Sequence, residues 1–102
     1  MTQIFFKQLI TCIFLMAAAG TLLAQENNET SGTGSGVSIS SGDNNTMFGD
    51  STGTSLTSGS QTTFVGFGAG RFNTTSESTF FGYLAGYTNT TGFDNVFIGK
   101  DA

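Results

Sequence analysis

Residues with chemical capability are scarce in this chain, and most of them recur near turns. Asp43, Asp50, Asp94 and Asp101 are the carboxylates that spacing would offer to a calcium ion. Neither a Gly-Gly-x-Gly-x-Asp calcium-roll phrase nor an EF-hand loop frames them, so turn capping is their expected work. Gly66-Phe67-Gly68-Ala69-Gly70 has the look of a phosphate loop. Arg71 stands where the third glycine of a dinucleotide fingerprint belongs, which favours a β-corner instead. Gly99-Lys100 does not end a P-loop either, since Asp101 follows where Ser or Thr is needed and Asp94 replaces the loop glycine. Histidine is absent, which removes Ser-His and Cys-His catalysis and His-ligated zinc. Asn28, Asn44, Asn73 and Asn89 open Asn-x-Thr sequons; for Asn73 and Asn89, in Asn-Thr-Thr turns, local turn chemistry is reason enough. No catalytic, cofactor-binding or metal-ligating residue is assigned, and the chain reads as a non-enzyme without a cofactor.

Composition narrows the partners. The 102 residues include 3 Lys or Arg against 7 Asp or Glu, a net charge of −4. Downstream of Lys7 the cations are Arg71 and Lys100. Nucleic acid binding needs clustered cations that displace phosphate counterions, so it is not expected. A basic patch for membrane attachment is missing for the same reason. The chain holds 15 glycines, no proline and 11 phenylalanines. Gly, Ser, Thr and Asn alone would signal disorder, but the aromatics crowd the second half and require a packed structure.

The N-terminus reads as an address. Lys7 precedes the apolar run Leu9 to Leu23, which Ala24 closes before the polar Gln25-Glu26-Asn27-Asn28. The run is of signal-peptide length and short of the roughly 20 apolar residues that span a bilayer. Residues 1–24 are therefore expected to be a signal peptide with a helical apolar core. The single cysteine, Cys12, falls inside it, so the mature chain has no disulfide. Residues 25–45, with Ser31 to Gly36 reading SGTGSG, have linker composition.

From Thr46 to Ala102 the chain repeats itself. Thr46-Met47-Phe48-Gly49, Thr63-Phe64-Val65-Gly66, Thr79-Phe80-Phe81-Gly82 and Val96-Phe97-Ile98-Gly99 are four copies of one phrase, spaced by 17, 16 and 17 residues. A second glycine follows four residues later at Gly53, Gly70 and Gly86. Units this short, rich in strand formers and turn residues, predict an all-β solenoid or β-roll with a period of 16–17. The fourth repeat stops at Lys100-Asp101-Ala102 without a polar cap, which reads as a truncated array. Strand neighbours point to opposite faces, so Phe48, Val65, Phe81 and Ile98 share one face and Met47, Phe64, Phe80 and Phe97 the other. Both faces are apolar. One fills the coil, and the other calls for a partner, with identical chains the simplest choice.

The phrase Asn95-Val96-Phe97-Ile98-Gly99, with its Ala-Gly and Asn-Thr-Thr spacers, resembles repeats of bacterial surface proteins. These are the heads of trimeric autotransporter adhesins and the shafts of phage-tail-fibre-like proteins. The likeness covers Thr46 to Ala102, with Phe where Ala is common and a longer repeat. It implies a left-handed roll, a homotrimer, and a place secreted from or displayed on a Gram-negative cell. By analogy with such heads, Phe81 should point inward with Ile98, and Phe80 should face partner chains.

The expected role is a non-catalytic structural or adhesive segment of a surface fibre, with an extracellular ligand not readable from the residues. The alternative is a secreted module that binds, for instance, carbohydrate through an exposed aromatic stripe. Intact-mass measurement of exported protein tests the first step: the mature chain is expected to begin at Gln25, and a species retaining Cys12 contradicts it.

Overall fold

The computed structural model describes residues 27–102; the expected signal peptide, 1–24, lies outside them. The described residues contain no helix. Five three-residue strands, β1 (Glu29–Ser31), β2 (Thr46–Phe48), β3 (Thr63–Val65), β4 (Thr79–Phe81) and β5 (Val96–Ile98), form one parallel sheet in sequential order. Each strand pairs residue for residue with the next, through Glu29, Thr46, Thr63, Thr79 and Val96, so the coils between them are 17, 17, 16 and 17 residues long. The chain is a β-solenoid of about four turns, one strand to a coil.

Parallel strands must be joined by a crossover, and here the remainder of each coil supplies it. Those segments are also tied to one another. Gly36, Gly53, Gly70 and Gly86 donate their N–H groups to the carbonyls of Thr52, Ala69, Ala85 and Ala102, at 2.8–3.0 Å. The wall opposite the sheet thus has a hydrogen-bond ladder without having strands.

Every coil leaves its strand through a glycine: Gly32, Gly49, Gly66, Gly82 and Gly99, with φ between +121° and +141°. Side-chain-bearing residues cannot hold that backbone region cheaply. Space forbids them too, because a Cβ on Gly49 would lie 2.8 Å from the carbonyl of Gly66 in the next coil.

The interior is a set of stacked columns. The middle residues of the strands form the main one, in which Met47, Phe64 and Phe80 are at most 1% exposed. The rings of Phe64 and Phe80 stack at 4.8 Å, and those of Phe80 and Phe97 at 4.9 Å, each pair nearly parallel. Ala69, Ala85, Leu56 and Ile39 fill the space around them. The second glycine of each repeat makes room for these rings: a Cβ on Gly70 would strike the Phe64 ring, and one on Gly86 the Phe80 ring.

A polar column sits beside the apolar one, just before the strands. Asn45, Thr62 and Ser78 are fully buried there. Asn45 Oδ1 accepts from both the N–H and the hydroxyl of Thr62, at 3.0 and 2.9 Å, and its Nδ2 donates to the Gly59 carbonyl. No buried side-chain polar atom among the described residues lacks a partner, as a dry interior demands.

Two expectations change. Residues 29–45, read as linker, form the first coil: Glu29-Thr30-Ser31 pairs in register with β2, and Ile39 joins the core. Composition concealed this because a coil can be closed by backbone hydrogen bonds, and β1 needs only a Thr above Met47. The two strand faces are also exchanged. Phe80 is fully buried, whereas Phe81 is 56% and Phe48 64% exposed; the analogy with adhesin heads chose the wrong neighbour. Accordingly, Phe80→Ala is expected to cost about 3–5 kcal/mol through the cavity it opens. Phe81→Ala in the single chain should stay within about 0.5 kcal/mol. Denaturant melts of the two variants check this.

Candidate functional site

The same period that fills the core writes columns on the outside. The first and third residues of each strand point away from the interior. Thr46, Thr63, Thr79 and Val96 form one file, and Phe48, Val65, Phe81 and Ile98 the other. In-register pairing places Phe48 on Val65, Val65 on Phe81 and Phe81 on Ile98. The outer sheet face is therefore a straight apolar stripe beside a hydroxyl-bearing one, and Glu29 at its first coil is its charged member.

Two further aromatic groups lie beyond the strands. Phe67 and Tyr83 occupy equivalent positions and stack at 5.6 Å with a 14° interplanar angle. Lys100, the next member of that file, brings its Nζ to 6.0 Å from the Tyr83 ring. Each of these rings covers one face of the other, and both remain exposed. At another corner Phe72 and Tyr87 meet edge to face, with the Arg71 guanidinium 5.6 Å and 6.0 Å from their centroids. Arg71 is half-buried there and makes no ion pair among the described residues.

A third file runs along the corner two residues before each strand: Asn27, Asn44, Gln61, Glu77 and Asp94. All five have φ between +57° and +61°. Asn27 Nδ2 donates to Asn44 Oδ1 at 3.3 Å, the amide ladder that stacking of like residues favours. Glu77 and Asp94 put two carboxyl groups into the same geometry. Hydrogen bonding to Asp94 first, then its negative charge, and then slight desolvation hold the Glu77 carboxyl above the usual glutamate range.

The residues singled out for chemistry are placed as follows. Asp50 Oδ1 accepts from the Thr33 N–H at 2.9 Å, a capping role. Asp43 sits at a corner where its N–H donates to Ser60 and its carbonyl accepts from Gln61. Asp94 meets Glu77, and Asp101 lies 3.9 Å from the exposed Lys100. The four aspartates are not brought together, and no three Asp, Glu, His or Cys side chains among the described residues converge.

The Gly66–Gly70 segment is a corner whose donors are already engaged. The N–H groups of Gly66, Gly68, Ala69 and Gly70 donate to Phe48, Asp50, Gly66 and Ala85 carbonyls, leaving those four unable to cradle a phosphate. Three sequon amides are likewise engaged: Asn28 with Gly42, Asn73 with Thr75, and Asn89 with both Asn73 and Gly92. Asn44 is exposed. A shallow groove of about 180 Å³ beside β1 and β2 is lined by Thr30, Met47, Phe48 and their neighbours. Small-molecule sites usually need about 300–1,000 Å³, and this groove offers little polar chemistry.

No family model, curated protein or solved structure matches the chain. Its most site-like features are thus surface files: an apolar stripe on the sheet, an Arg-aromatic corner and a carboxyl pair. Sequence reasoning found the first but assigned it the wrong residues. The other two require knowing which positions stack. The corner's contribution is measurable, since Arg71→Ala should lower stability by about 1 kcal/mol through loss of its two cation–π contacts, as read by urea unfolding.

Proposed function

We propose that the chain is a non-catalytic structural segment of an extracellular, adhesin-like surface fibre, joined to identical chains through its outer sheet face. The observation that carries this reading is the stripe itself: Phe48, Phe81 and Ile98 are 64%, 56% and 71% exposed in a single file. Isolated exposed apolar residues are ordinary, whereas an aligned row of them marks an interaction surface. An identical chain is a good occupant because its columns repeat at the same coil spacing, so side chains can interdigitate along the whole length.

Export rests on the signal-like residues 1–24. The trimer is the assembly that the resemblance to adhesin heads and tail-fibre shafts implies. Display on or secretion from a Gram-negative cell has the same support. The non-enzymatic reading draws on the absence of histidine and on a fold whose backbone donors serve coil-to-coil bonds.

A secreted module that grips carbohydrate through its aromatics is the second reading. Sugars pack on ring faces. Phe67 and Tyr83 cover one face of each other, so that pair offers less ring face to a sugar.

Sedimentation separates the two. The exported chain is expected to run as a trimer, and Phe48→Ser with Phe81→Ser to shift it towards monomer. Each lost ring removes about 1.5–3 kcal/mol of burial, or about one to two decades of association. A wild-type chain that stays monomeric at high concentration and binds polysaccharide would favour the module.

A further inference from the structure

The corner file is amide from Asn27 through Gln61 and acid at Glu77 and Asp94. In the amide part each member can donate to the next. In the acidic part neither ionised carboxylate can donate, so the corresponding bond requires a proton. The register of Thr79 on Val96 stacks Glu77 on Asp94 at matching φ on the exposed corner, and two carboxyls so placed resist joint ionisation.

We propose that the Glu77–Asp94 rung is a proton-operated clasp between the β4 and β5 coils: one proton shared between the carboxyls closes it, and ionisation of both opens it. The rung sits beside the backbone bond it would guard. Asp94 adjoins Asn95, whose carbonyl accepts the Thr79 N–H at 2.8 Å, and Glu77 adjoins Ser78, whose hydroxyl accepts the Asn95 N–H at 3.4 Å. Repulsion between the two carboxylates therefore bears directly on the seam that closes the last coil.

Among the described residues no cation answers the pair. Along the file Glu77 has neutral Gln61 on one side and Asp94 on the other. Arg71 lies against Phe72 and Tyr87, and Lys100 lies near Asp101 and Tyr83. Asp94 is the charged group acting on Glu77.

The raised affinity of Glu77 for its proton fixes the direction. A carboxyl that binds its proton more tightly folded than unfolded adds stability at acid pH. That contribution is complete below the ordinary glutamate pKa and lost as pH rises through the raised value. The seam is tight in acid and loosened at neutrality.

The test uses the full chain in EDTA, with carbon-detected carboxyl NMR and amide exchange at Thr79. In the wild type Glu77 is expected to titrate above the ordinary value of about 4.3, and in Asp94→Asn to return to it. Thr79 protection, corrected for intrinsic exchange, should fall several-fold from acid to neutral pH in the wild type. In Glu77→Gln, which copies the residue at position 61, it should stay level. Identical Glu77 titration in wild type and Asp94→Asn overturns the clasp. So does a Thr79 protection profile that Glu77→Gln leaves unchanged.

Discussion

From Glu29 onward the strands of this protein lie residue on residue in successive coils, and that in-register stacking governs the rest. Parallel pairing without offset puts Phe64 on Phe80 and Phe80 on Phe97, so every column must tolerate its own chemistry repeated at strand spacing. Aromatic rings, hydroxyls and carboxamides do so, by stacking or by donor-to-acceptor ladders. Like charges do not. The low charged fraction, 10% of residues, follows from this rule, because a charge placed in one repeat and copied into the next would repel itself. Glu77 and Asp94 break the rule, and the pair has a perturbed carboxyl as the result.

Stacking also decides where the backbone is negotiable. At strand exits the chain turns with φ of +121° to +141°, and all five residues there are glycine. Two positions later φ is only +55° to +71°, and Ser51, Leu84 and Asp101 appear there beside Gly34 and Gly68. The left-handed region admits an L-residue at moderate cost, while the exit conformation does not. Close approach of successive glycines at the exits compounds the restriction. The first glycine of each repeat is therefore obligatory for the backbone, and the second clears space for a ring.

Much of this was legible from the residues, and the misses have physical causes. The period, the strand phrases and the turn glycines are visible because strand formers and φ-permissive residues alternate at a constant interval. The first coil was hidden because Glu29-Thr30-Ser31 carries no apolar residue; its membership rests on backbone pairing, which composition does not display. The strand faces were exchanged because period two distinguishes neighbours without saying which is inside. A cue did exist. Met47, Phe64, Phe80 and Phe97 are uniformly long and unbranched at Cβ, as an interior column of fixed width requires, whereas the outer file mixes Phe, Val and Ile. The polar column before the strands left a fainter trace, in Asn28, Asn45, Thr62, Ser78 and Asn95 recurring one residue ahead of each strand.

The one irregular coil shows which surface the fold protects. Between Thr63 and Thr79 the repeat is a residue shorter, yet β3 and β4 remain paired without a slip. The deletion falls in the turn before Thr75, where coils 17 residues long carry Ser58 or Thr91. There Thr74 and Thr75 hydroxyls bridge to the carbonyls of Thr90 and Gly92, at 2.7 and 2.6 Å, and reseal the shortened corner to its neighbour. Length variation is thus absorbed by side-chain bonds at one corner, while the sheet keeps its register. A shift of one residue in a strand would turn its buried ring outward, so the sheet cannot share the tolerance. The same rigidity that keeps Phe80 inside holds Phe48, Val65, Phe81 and Ile98 in line outside.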